Sequence, residues 1–202
     1  MSKMIKNIIF DLGNVLISFR PSDFFDKLNY PANIKSTILS DIFGSKEWLM
    51  LDNGDINTSQ AIDAIAAKSS LKKEEIVHIF NLRTEIMFPL EQNVRLLPEL
   101  KKQGYRLFYL SNFPLDIFDE VKNGYYFFKY FDGGIISADV KCSKPDRRIY
   151  EILMNLYSLD PVESLYIDDV EANVKGAEST GMTGFVTHGS AEISSELRAR
   201  LG

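Results

Sequence analysis

Residues Ile8-Ile9-Phe10-Asp11-Leu12-Gly13-Asn14-Val15 decide the fold. An Ile-rich apolar run climbs to one carboxylate and breaks at Gly-Asn. Such a run, bounded by a turn signal, is the pattern of a buried strand in a parallel sheet. Ligands of open α/β sheets gather beyond the carboxyl ends of the strands, so Asp11 stands where chemistry would be done. Asp also begins turns for purely structural reasons. The rest of the chain separates these two readings.

On the N-terminal side, Met1 to Asn7 lacks the apolar core of a signal peptide. On the C-terminal side, Leu16 to Pro21 is a short apolar hairpin or loop, and from Ser22 to Phe88 only helical patterns follow. Phe24, Phe25 and Leu28 form one stripe; Ile34, Ile38, Leu39 and Ile42 form the next, ended by Gly44. Asn57 with Gln60 predicts a capping box, and Ser70 predicts the cap of a further helix. After Glu91, strands and helices alternate. Arg106–Leu110, Gly134–Ser137, Leu165–Ile167 and Gly184–Thr187 have strand character. Helices are expected through Val94, Leu97 and Leu100, from Pro114, from Pro145, and through Val174 and Ala177 to Gly181. The expected fold is α/β: a doubly wound parallel sheet of 1–17 and 89–202, with an inserted helical-bundle cap of 18–88.

The totals narrow the function. The chain has 202 residues, 45% hydrophobic, with a formal net charge of -5, which argues against nucleic acid as the main partner. No apolar run is long enough to span a bilayer. A single cysteine, Cys142, leaves no internal disulfide and fits a reducing, cytoplasmic setting. A monomer or weak homodimer is expected. Neither His78 nor His188 stands in a sequence pattern that suggests a triad or a metal site, and Tyr125–Phe131 has the character of packing around a strand. Trp48, Leu49, Leu51 and Asp52-Asn53-Gly54-Asp55 lie in the insert, where they can overhang the site and choose the substrate.

Parallel strands all end on one side. Asp11, Ser111-Asn112, Lys144 and Asp168-Asp169 are therefore expected at one edge. Carboxylates suit a hard divalent cation such as Mg²⁺. An ammonium, a hydroxyl and free backbone N–H groups suit a phosphoryl group. Asp11 can then attack phosphorus, with positioning and charge neutralisation supplying most of the acceleration.

Four motifs together resemble the haloacid dehalogenase superfamily of hydrolases: the strand ending in Asp11, Leu110-Ser111-Asn112, Lys144-Pro145-Asp146 before Ile149-Tyr150, and Ile167-Asp168-Asp169 with Asn173, Gly176 and Ala177. The insert after the first motif resembles the first cap class, and Asp-Leu-Gly-Asn-Val is similar to the bacterial glucose-1-phosphate phosphatase branch. The resemblance implies a Mg²⁺-dependent phosphatase of a small phosphorylated metabolite, such as a sugar phosphate. By the same resemblance Asp11 is nucleophile and metal ligand, and Gly13 offers its backbone carbonyl to the metal. Asp169 is a direct ligand, and Asp168 acts through water or from behind. Ser111, Asn112 and Lys144 hold phosphate. One departure stands out. Most phosphatases of the superfamily carry a second Asp where this chain has Gly13, and general acid–base help is worth about 10²–10⁴ in rate. An anomeric leaving group, a cap residue or water can replace it. The alternatives are a phosphonate- or haloacid-cleaving enzyme, or a catalytically weak phosphate-binding regulatory protein.

Overall fold

The computed structural model describes residues 4–201, save the side chains at 190–192. The described residues form seven strands: β1 Asn7–Phe10, β2 Ile17–Phe19, β3 Met87–Pro89, β4 Arg106–Ser111, β5 Gly133–Ile136, β6 Ser164–Asp168 and β7 Thr183–Val186. Five of them form one sheet in the order β5-β4-β1-β6-β7, and every pair is parallel. β1 lies in the middle, with Phe10 opposite Tyr109 on one side and Ile167 on the other. The chain winds outward from β1 through β4 to β5, then crosses back to β6. The strand order thus reverses beside β1, which is where this class of sheet opens a crevice.

Both faces of the sheet are covered, which is why β1 is apolar without alternation. Ile8 and Phe10 join Leu97, Leu100, Phe118 and Val121 on one face. Ile9 joins Ile149, Leu153, Val174 and Ala177 on the other. The aromatic run forms a 3₁₀ turn, Tyr126–Tyr130, that puts Phe127 and Phe128 into the first of these layers. It packs as expected.

Between β2 and β3 lie the helices Pro21–Lys27, Ala32–Ile38, Lys46–Asp52, Thr58–Ala66, Lys73–Asn81 and Arg83–Ile86, with a π-turn at Leu39–Phe43. They enclose an apolar cluster of their own around Phe25, Ile42, Trp48, Ile65, Ile76 and Phe80. The Asn57–Gln60 capping box forms with both hydrogen bonds in place. This group of helices meets the sheet layers through polar contacts. Arg83 pairs with Asp116 at 2.8 Å, and the Thr58 hydroxyl donates to Asp116 at 2.5 Å. Ser143 donates to Asn53 at 2.9 Å, and Ser137 donates to the Asp52 carbonyl. Gly54, at φ +71, permits the approach: a Cβ there would lie 2.6 Å from the Ala138 carbonyl oxygen. No described helix is long and apolar enough to cross a membrane.

Four local expectations need correcting. The apolar segment after Val15 is no hairpin of its own: β2 pairs antiparallel with β3, Ile17 opposite Pro89 and Phe19 opposite Met87. Met87 and Phe88 of β3 fall in a stretch expected to be helical throughout. Ser70 caps nothing. The helix begins at Lys73, and Glu75 accepts from the Lys72 backbone N–H at 2.7 Å, supplying the half of a capping box that a side chain at the third helical position can give. Pro145 does not open its helix either. The Lys144–Pro145 bond is cis, and the helix starts at Arg147, where Asp146 accepts from the Arg148 N–H at 2.9 Å.

Candidate active site

Asp11 follows the last residue of β1, and its backbone N–H is held by the Ile167 carbonyl of β6 at 2.8 Å. The next turn points the chain away. Asn14 adopts φ 52, a left-handed conformation that Asn tolerates, and its side chain accepts from the Phe19 N–H at 3.0 Å. The Asp11 carboxylate is thereby fixed at the sheet edge. It accepts from the Leu12 N–H at 2.7 Å, from Ser111 Oγ at 2.7 Å and from Lys144 Nζ at 2.9 Å.

Lys144 is the central cation. It is 5% exposed and reaches Asp168 at 2.7 Å as well as Asp11. Burial alone would lower its pKa, but the two carboxylates outweigh that and hold it above the usual lysine value. Asn112 braces it: the Asn112 amide accepts from the Lys144 N–H at 2.8 Å and donates to the Lys144 carbonyl at 3.0 Å. Both ends of the Asn112 amide are therefore committed to the Lys144 backbone, although Asn112 still lines the cavity described below.

The adjacent Asp168 and Asp169 differ in surroundings. Asp168 is fully buried, and each of its oxygens is engaged. It accepts from Lys144, Tyr166 and the Val170 N–H, and from Asn173 at 3.1 Å to each oxygen. Asp169 is half-buried and faces the cavity, with Asn14 as its side-chain hydrogen-bond partner. Ligand oxygens of Asp11, Asp168 and Asp169 all lie within 4.8 Å of one another. Three carboxylates thus share one ammonium. Burial raises the pKa of Asp169, with the Asp168 charge adding to it. Burial likewise pushes Asp11 up to about 6, against the pull of Lys144.

These groups floor a cavity of about 230 Å³. Its floor and rim hold Gly13, Asn14, Ser111, Asn112 and Asn173. Its far wall is apolar and aromatic, from Ile17, Phe19, Met87 and Phe113 with Trp48 of the insert. Trp48 stacks on Phe19 at 5.8 Å and 20°. Asp52, at the end of the same helix as Trp48, also lines the wall. The rest of the expected overhang is elsewhere: Leu49 is exposed to solvent and Leu51 is buried in the insert's own cluster.

All the sequence-selected site residues meet at this cavity or directly behind it. Two contributors carried no sequence signal. Tyr166 sits inside an apolar strand and gives no sign that its hydroxyl holds Asp168. Arg83, a polar residue at the end of a helical pattern, is buried beside the insert–core seam.

The haloacid dehalogenase-like hydrolase family matches residues 5–181. The sesquiterpene phosphatase astK of Aspergillus oryzae is 28% identical over the whole of both chains. The drimenol cyclase drtB of Aspergillus calidoustus is 24% identical over 96% of this chain, which spans 36% of that protein. Among solved structures, the enzyme bt-2542 of Bacteroides thetaiotaomicron in complex with magnesium and inorganic phosphate has a TM-score of 0.69 and 25% identity, covering 90% of this chain and 93% of that one. A predicted hydrolase of Porphyromonas gingivalis shares the fold at a TM-score of 0.73 and 23% identity, covering 98% of each chain.

Proposed function

The chain belongs to the haloacid dehalogenase-like hydrolases, and from that premise we propose that it is a Mg²⁺-dependent phosphatase of small phosphate monoesters, working through an aspartyl-phosphate at Asp11. The observation that carries this reading is one constellation: Lys144 Nζ wedged between Asp11 and Asp168, with Asp169 facing the same buried cavity. The donor set fits a hard cation. It is all oxygen, it has more carboxylates than ammonium groups, and the carboxyl pKa values are raised where a cation would relieve them. Asp11, Asp169 and the Gly13 carbonyl would hold Mg²⁺, which supplies neutralisation of the phosphoryl charge. Asp168 has its oxygens occupied and serves from behind, orienting Lys144.

The protein groups divide the remaining work. Lys144 and Ser111 hold the phosphoryl oxygens, and Asn112 keeps Lys144 in place. Asp11 Oδ attacks phosphorus, the alcohol leaves, and water later cleaves the acyl phosphate. Residues 18–88 act as a cap of the first class over a core of 1–17 and 89–202, excluding bulk water during the reaction. Astk-like activity is supported by the full-length likeness to a protein named a sesquiterpene phosphatase. The wall of Ile17, Phe19, Trp48, Met87 and Phe113 also favours an alcohol with an apolar face over a sugar. A sugar phosphate, the substrate of the glucose-1-phosphate phosphatase branch, is the competing assignment.

The test is phosphate release from farnesyl phosphate, hexyl phosphate and glucose 1-phosphate, with Mg²⁺ and then with excess chelator. The expected result is Mg²⁺-dependent release, faster from the apolar esters, and no release by Asp11→Asn. Full turnover by Asp11→Asn, or release that survives chelation, overturns the mechanism. Preference for glucose 1-phosphate overturns only the choice of alcohol.

A further inference from the structure

Gly13 lines the cavity, and a Cβ added there would meet nothing within 4 Å. The core therefore presents no acid at that point. The polar side chains on the cavity surface can be sorted by what each is able to do. Asp11 and Asp169 belong to the proposed metal and nucleophile set. Lys144 is held by two carboxylates, and Ser111 donates to Asp11. Asn14, Asn112 and Asn173 are amides and have no proton to release near neutral pH. One acid is left among the described lining residues, Asp52, and it comes from the insert.

We propose that Asp52 is the general acid and base of this reaction, a catalytic residue carried by the cap in place of one on the core. The proposal rests on the phosphatase reading above. In the first half-reaction Asp11 Oδ bonds to phosphorus, the bond from phosphorus to the ester oxygen breaks, and the Asp52 proton goes to that oxygen to give the free alcohol. In the second, Asp52 as carboxylate takes a proton from water as its oxygen bonds to phosphorus. The bond from phosphorus to Asp11 breaks, inorganic phosphate leaves, and Asp52 is again protonated.

The surroundings of Asp52 suit both states. Its backbone carbonyl is tied to Ser137 of the core, and its neighbour Asn53 to Ser143, so its chain position relative to Asp11 is fixed by core contacts. It is the last residue of the Lys46–Asp52 helix, the end where the helix dipole disfavours a negative charge. Burial pushes its pKa up to about 7, opposed by a hydrogen bond from the Trp48 side chain and by the Arg83 charge. Trp48 and Arg83 are also what would stabilise the carboxylate once the proton has left. Arg83 is committed to Asp116. Across the cavity stand Lys144, Asp11 and Asp169, and the Ser137–Val140 turn packed against the helix carries Asp139, with Lys141 following it, both exposed.

The experiment compares kcat/KM of wild type, Asp52→Asn and Asp52→Asn/Gly13→Asp on phenyl phosphate and p-nitrophenyl phosphate with Mg²⁺. The two esters share a shape and differ in how much the leaving oxygen needs a proton. Asp52→Asn should lose about 10²–10⁴ on phenyl phosphate, much less on p-nitrophenyl phosphate, and the alkaline limb of the wild-type pH profile. The second variant, with space for its side chain, should recover phenyl phosphate turnover. Equal losses on both esters, or no loss on either, overturn the role of Asp52. A wild type that releases phosphate from neither ester overturns the phosphatase reading and the proposal with it.

Discussion

The sheet edge and the insert wall meet at one cavity and are built on opposite plans. At the edge, charged groups are knit together by hydrogen bonds: Lys144 bridges two carboxylates, and Asp168 accepts from four different residues. Parallel strands deliver these groups from separate parts of the chain to one line. On the wall, aromatic and aliphatic surface surrounds a single carboxyl, and the supporting cluster of Phe43, Trp48 and Phe80 is held by ring contacts, with centroids 4.8 Å apart for the first pair. The difference teaches where each kind of specificity lives. The edge can recognise only a small, doubly charged group, so it suits any phosphate ester. The wall contacts whatever the phosphate is attached to.

The contrast is sharpest at Lys144. Lys144→Met should abolish phosphate release and cost about 3–5 kcal/mol of stability, because two buried carboxylates lose their counter-charge. Urea unfolding measures the second effect. Adding Asp168→Asn should restore much of the stability and none of the activity. If Lys144→Met leaves stability unchanged, the edge is not held together by that ammonium.

Trp48→Ala acts on the other side of the comparison. It should cost about 3–5 kcal/mol within the insert cluster. Amide hydrogen exchange should quicken over residues 46–80 and stay slow in β1 and β4, since the two apolar clusters have distinct buried members and Phe19 packs at the border of both. Uniform quickening throughout the chain would show that the two regions unfold as one.

The smallest effect is that of Asp52→Asn on stability. The folded pKa of Asp52 is about 7, above its ordinary value of 3.8, so the protonated form is the one folding favours. The contribution is whole below about pH 4 and is lost as the pH rises through 7. An uncharged Asn should therefore match wild type at pH 4 and be more stable at pH 8, by about 1–3 kcal/mol after allowance for partial exposure. Thermal unfolding at the two pH values reads the difference. A variant less stable at pH 8 would mean that the carboxylate, not the acid, is what the wall accommodates.

These two plans also explain what could be read from the sequence. Three strands of the sheet are local apolar runs that end at Asp11, at Ser111 and at Asp168-Asp169, and Lys144 stands directly before Pro145, so these residues could be picked out in order. Parallel topology then brought them together. The wall has no such signature. Ile17–Phe19 finds its partner in Met87–Pro89, and three-residue strands are too short for an alternation to show. Asp52 was visible only as part of an acidic, Gly-containing turn in the insert, and its burial follows from packing between elements that no local pattern encodes. Tyr166 was hidden for the reverse reason, as a polar hydroxyl on a residue whose ring fits an apolar strand. At Pro145, the preference of proline for a first helical turn was overridden by Asp146, whose side chain offers the cap two residues further on.

The β2–β3 ribbon has a further consequence. The chain leaves for the insert at Phe19 and returns at Met87, and these residues sit opposite each other in the ribbon. Departure and return are thus one strand spacing apart, roughly 5 Å, a gap that a two-residue turn closes. The intervening segment behaves as a cassette. Recombination at those two neighbouring points could exchange Trp48 and Asp52, the insert's share of the lining, while leaving every strand of the sheet, and every phosphate-handling group on it, in its original connection. A changing clientele then needs only a cassette that brings its own acid to the place Asp52 holds here.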